Sequence, residues 1–102
     1  MDRVRMLNEI LSQNPADAFA RYSLAMEYSN SGDVDRALEE FKKLIATNPD
    51  YTAGYFMAAQ ALARANRAEE AKKMLGDGIR SAKRTGNSHA QSEMEAMLAE
   101  LE

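Results

Sequence analysis

Cysteine is absent from all 102 residues, which excludes disulfides, thiol catalysis and thiolate metal sites. Compartment does not follow from that absence, because secreted chains can lack cysteine too. Histidine occurs once, and His89 has neither a cysteine nor a second histidine with which to complete a metal site. Its place beside a predicted helix start points to a capping or solvent-facing role. A long apolar run is also missing. The N-terminus reads MDRVRMLNEIL, where charges interrupt every apolar stretch, so neither a secretory core nor a membrane span is expected. A cytoplasmic location without a membrane partner is the resulting expectation. Nor does one sign of charge dominate. Thirteen basic against sixteen acidic residues leave a formal charge of -3, a field that repels nucleic acid and anionic membranes.

What is present is a folding composition, with 45% hydrophobic and 28% charged residues in a length suited to one domain. Proline is scarce, and its two positions are informative: Asn14-Pro15 recurs as Asn48-Pro49, an offset of 34 residues. The same shift pairs Leu24 with Ala58, Ala25 with Ala59, Tyr28 with Leu62, Ala37 with Ala71, Phe41 with Leu75 and Ile45 with Ile79. Applied backwards, it pairs Leu7 with Phe41, Ile10 with Leu44 and Leu11 with Ile45.

Those positions fall at helical spacing, so each segment reads as one amphipathic helix. Gly32 can take the left-handed conformation that ends a helix, Asp33 can cap the next, and Pro15 and Pro49 stop the helices before them. Six helices are predicted, near 2–13, 17–30, 34–47, 51–65, 68–83 and 88–100. The last departs from the 34-residue pattern. Ser88 with Gln91 makes a capping box, and Ala90, Met94, Met97, Leu98 and Leu101 form one apolar stripe. It reads as the helix that closes the stack, although Leu101-Glu102 also matches what a tag-cloning junction leaves and carries no functional weight.

The small and aromatic positions Leu24, Ala25, Tyr28, Gly32, Ala37, Phe41 and Pro49 resemble the signature of the tetratricopeptide repeat. Tyr55, Ala59 and Ala71 match it again one period later, while Leu62, Asn66, Leu75, Gly78 and Lys83 depart from it. The resemblance implies an all-α fold of antiparallel helix-turn-helix repeats in a right-handed superhelix with a C-terminal capping helix. Its divisions are a half repeat over 1–13, a full repeat over 17–50, a degenerate repeat over 51–84 and the cap over 87–100.

The family resemblance further implies a non-enzymatic scaffold that binds a protein or peptide segment in a concave groove lined by the first helix of each repeat. Transferred to this sequence, the lining positions are Phe19, Tyr22, Ser23, Met26 and Asn30, then Ala53, Phe56, Met57, Gln60 and Arg64. Phe, Tyr and Met suit an apolar segment or helix. The carboxylate clamp of chaperone-binding relatives is not expected, because Tyr22, Met26 and Met57 stand where polar residues are wanted and only Arg64 is cationic. The same Met and aromatic stripe is what a buried core presents, so both readings stand open at this point. A second copy of the chain is the alternative partner, with the groove or the terminal helix as the interface.

No catalytic constellation emerges. Gly76-Asp77-Gly78 lacks the Lys-Ser/Thr of a phosphate loop and is read as a helix irregularity. Glu39-Glu40, Glu69-Glu70 and Glu93-Glu95 are placed on solvent faces, away from the burial that acid-base pairs need. The basic residues Lys72, Lys73, Arg80, Lys83 and Arg84 suit the negative end of their own helix. No cofactor, metal or enzymatic activity is expected.

Overall fold

Four side-chain caps set much of the helical register. The computed structural model describes residues 2–102 and contains α1 (Arg3–Gln13), α2 (Ala18–Asn30), α3 (Val34–Thr47), α4 (Thr52–Arg64), α5 (Ala68–Thr85) and α6 (Ser88–Leu101). Asp2, Asp17, Asp33 and Asn87 accept the backbone N–H of Arg5, Ala20, Arg36 and Ala90, at 2.8, 3.0, 3.2 and 3.1 Å. Each satisfies an amide that the first helical turn leaves without a partner. The cap of α6 is therefore Asn87 and not Ser88. Gly86 turns left-handed at φ 71° to end α5, which brings the chain into α6 one residue sooner than the capping-box reading required. The same glycine lets α5 run to Thr85, past the expected end at 83.

Gly32 adopts φ 84° between α2 and α3, as its position predicted. Thirty-four residues on, Asn66 takes φ 63° in the corresponding turn between α4 and α5. Asparagine is among the few residues that tolerate this region, so the turn survives the loss of its glycine. A second correspondence lies at the helix starts. The Arg21 guanidinium donates to the Pro15 carbonyl at 3.3 Å, and the Tyr55 hydroxyl donates to the Pro49 carbonyl at 2.8 Å.

Helices adjacent in sequence pack against each other throughout, and α2 touches α4 while α4 touches α6. No such contact joins α1 to α3 or α3 to α5. Even-numbered helices therefore form the inner, concave layer and odd-numbered helices splay on the outer side. The larger core runs through both layers and buries Phe41, Leu62, Leu75 and Met94 almost completely. Each such side chain contributes about 2 kcal/mol of transfer free energy. A smaller cluster of Leu7, Leu11, Ala20 and Leu24 joins α1 to α2, with Tyr28 packed against both clusters.

Gly76-Asp77-Gly78 is not an irregularity, because α5 passes through it unbroken. Gly78 instead marks the closest approach of three helices. A Cβ placed there would lie 2.6 Å from both the Met94 sulfur and Tyr55 Cβ, so only glycine lets α4 and α6 close on α5. Nearby, Thr52 and the fully buried Ser81 share a hydrogen bond of 3.0 Å, which satisfies both hydroxyls inside the α4–α5 contact. Glu40 also departs from expectation. It accepts from Arg21 at 2.6 Å, with only 17% and 12% of the Arg21 and Glu40 side chains exposed, and so ties α2 to α3 instead of facing water.

Candidate functional site

The concave layer presents α2, α4 and α6 side by side, and its surface varies along the stack. On α2, Phe19 is 70% exposed, the most solvent-accessible of the large apolar side chains in the described residues. One turn on, Tyr22 is half-buried. Its ring packs edge-on to Phe41 with centroids 6.4 Å apart and lies 5.5 Å from Tyr51, at the entry to α4. Burial raises the Tyr22 hydroxyl above its ordinary range. Burial also raises that of Tyr51, reinforced by the charges of Tyr22 and Asp17. Both phenols therefore stay neutral at physiological pH and keep a proton to donate. Ser23, placed in the groove by the sequence, is buried at 8% exposure because it faces the body of the stack. Met26 is half-buried against the main core, and Asn30 is exposed at the end of α2.

On α4, Ala53 is exposed, Phe56 and Met57 are half-buried against the main core, and Gln60 is half-buried. Thus Tyr22, Met26, Phe56 and Met57 each serve both readings left open by the stripe: one flank joins the core and the other meets solvent. Arg64 is exposed and donates to the Ser29 hydroxyl at 2.9 Å, which holds its charge toward the end of α2.

Helix α6 closes the stack, as its apolar stripe predicted. Its contacts are with α5 and α4 and not with α2, so it does not fold across the groove; it lengthens the concave layer. Met94 is fully buried, with Ala90, Met97, Leu98 and Leu101 packed on the same core, so most of its apolar stripe is used inside the chain. Leu101 thus belongs structurally to the last helix. Between α4 and α6 lies an open cleft lined by Phe56, Gln60, Glu93, Ala96, Met97 and Glu100. The sequence reading found only the α4 wall of this cleft. The other wall became visible once the packing of Met94 had fixed the rotation of α6.

On the outer side, the gap between α3 and α5 holds a smaller cleft. Its floor is Leu38, Ile45, Leu62 and Met74, and its rim mixes Lys42 and Lys73 with Glu70 and Asp77. The side-chain hydrogen bond from Arg67 holds the Glu70 carboxyl below the usual range, and Arg67 itself is raised by Glu70 and Asp35. These ion pairs tie Arg67, in the turn before α5, to the first turns of α3 and α5. Among the described residues no group of three His, Cys, Asp or Glu side chains is placed to hold a metal ion, and no helix is long and apolar enough to cross a membrane.

A family model described as tetratricopeptide repeat matches residues 30–101. A TPR repeat-containing protein of Pseudomonas aeruginosa is 27% identical over 96 residues, covering 94% of this chain and 91% of its own length. The solution structure of a tetratricopeptide repeat domain protein from Salinibacter ruber superimposes with a TM-score of 0.80 at 31% identity, over 87% of this chain and 90% of that one. A solution structure of a Bordetella parapertussis protein has a TM-score of 0.84 over 99% of this chain and 88% of its own, at 19% identity, and so shares the fold.

Proposed function

Because the chain belongs to the tetratricopeptide-repeat family, whose domains are generally non-enzymatic protein-interaction modules, we propose that it binds an apolar peptide or helix of a partner protein along the concave face of α2, α4 and α6. The observation that carries this reading is Phe19. A phenylalanine 70% exposed on the concave layer has hydrophobic area that folding leaves unused and that a partner can cover. Half-exposed Met26, Phe56 and Met57 continue that surface along α2 and α4. Aromatic anchors of this kind dominate binding energy where they become fully desolvated.

The test substitutes Phe19, which lies outside both core clusters, and Phe56, which packs on the main core, so the melting of the Phe56 variant is compared with the parent's. Tyr22 is unsuitable, since its ring packs on Phe41 and Tyr51. Phe19→Ala, alone and with Phe56→Ala, should abolish capture of the partner from cell extract, while Lys73→Ala on the outer side should leave capture intact. Equal capture by all variants would remove the concave face from consideration. Sedimentation at micromolar concentration separates a second copy of the chain from a different protein as the occupant.

A further inference from the structure

The cleft between α4 and α6 has a chemistry distinct from the aromatic surface on α2. Phe56, Ala96 and Met97 make it apolar, and two carboxylates, Glu93 and Glu100, stand on its α6 wall. They are seven residues apart, two helical turns, or about 10 Å along the axis. Within the described residues the only ion-pair partner of Glu93 is His89, which pairs at 3.2 Å and is charged only when protonated. Arg64, one turn beyond Gln60, is turned away to Ser29. The wall is thus acidic, and its charge faces outward.

We propose that this cleft selects a helical segment of a partner protein that carries two Lys or Arg side chains two turns apart, with an apolar anchor between them. The proposal rests on the concave-face reading and adds the charge and spacing of the ligand. The apolar anchor covers Phe56 and Met97 while the two cations meet Glu93 and Glu100. A helix fits because residues at i and i+7 lie on one face, separated by about 10 Å. An extended segment spans that distance in about three residues, which point to opposite faces. Each pair lies at a solvated rim and contributes about 0.5 kcal/mol, so two give roughly fivefold selectivity that added salt erodes.

Three synthetic amphipathic helical peptides test this, identical in their leucine anchors and carrying Lys, Gln or Glu at two positions two turns apart. Fluorescence anisotropy with the full chain should rank them Lys, Gln, Glu, with Lys about fivefold tighter than Gln at low salt. The ranking should collapse in E93Q/E100Q, whose circular dichroism and melting should match the parent, whereas F56A should weaken all three peptides. Equal binding of the three peptides, or a Lys preference that persists in E93Q/E100Q, overturns the charge assignment. In either case, weakening by F56A leaves the groove reading standing. If no peptide binds, the groove reading falls and the charge assignment falls with it.

Discussion

The α2–α3 pair and the α4–α5 pair are offset by 34 residues, yet they are held together by different means. The first relies on local and ionic devices. Asp17 and Asp33 cap its helices, Gly32 makes its turn, and Arg21 pairs with Glu40 across it. In the second pair the same positions carry Tyr51, Arg67, Asn66, Tyr55 and Met74. Neither α4 nor α5 has a side-chain cap, and the ion pair is replaced by an aromatic ring and a thioether, each at most 8% exposed. Both pairs are flanked on two sides, but the second can dispense with caps because α4 is buried along more of its length than α2. Helix α4 buries Thr52, Gly54, Tyr55, Ala58, Ala59, Ala61 and Leu62, against neighbours in α2, α3, α5 and α6. A helix with more of its length buried draws stability from its interfaces, whereas α2, which buries only Ala20, Ser23, Leu24 and Ala25, leans more on its own terminus.

The largest effect expected from attacking this difference is at Gly78. Gly78→Ala places a methyl against Tyr55 Cβ and the Met94 sulfur, which should cost about 3 kcal/mol by overpacking and lower the urea midpoint, with loss of α6 protection in hydrogen exchange. Next comes the ion pair. Arg21→Ala leaves Glu40 largely buried with only Lys43, at 3.7 Å, and should destabilise by about 2 kcal/mol. Arg21→Tyr combined with Glu40→Met copies the second pair into the first and should restore or exceed the parent's stability; a double variant as weak as the single would show that the two pairs are not interchangeable. The smallest effect is in the turn. Asn66→Gly should stabilise by about 0.5 kcal/mol by relieving the left-handed strain, read as a small rise in urea midpoint.

The helices were legible because Pro15, Pro49, Gly32 and the apolar spacing act locally, and local signals are written in adjacent residues. Gly78 was not, since a glycine in a helix declares itself only through the residues that press on it, here Tyr55 and Met94. Ser23 and Glu40 were misplaced for the same reason: helical periodicity gives a face, and how deeply that face lies depends on the neighbouring helix. Of the concave surface, the positions on α2 and α4 came from the family pattern. Glu93 and Glu100 could not be assigned that way, because α6 does not keep the 34-residue register and its rotation is set by where Met94 fits.

Three arginines of the later pair reach back across the boundary between the pairs. Arg64 donates to Ser29 and Arg67 to Asp35 at one end of the stack, while Arg84 holds Asp50 and the Pro49 carbonyl at the other. The consequence is mechanical. A stack of helix pairs behaves as a short spring whose curvature sets how wide its inner surface opens, and these contacts act as guy ropes fastened at both ends of one coil. Two of the four contacts, Arg67 with Asp35 and Arg84 with Asp50, are ion pairs, which dissolved salt weakens. The stack is therefore expected to open slightly as ionic strength rises, which small-angle scattering would read as an increased radius of gyration.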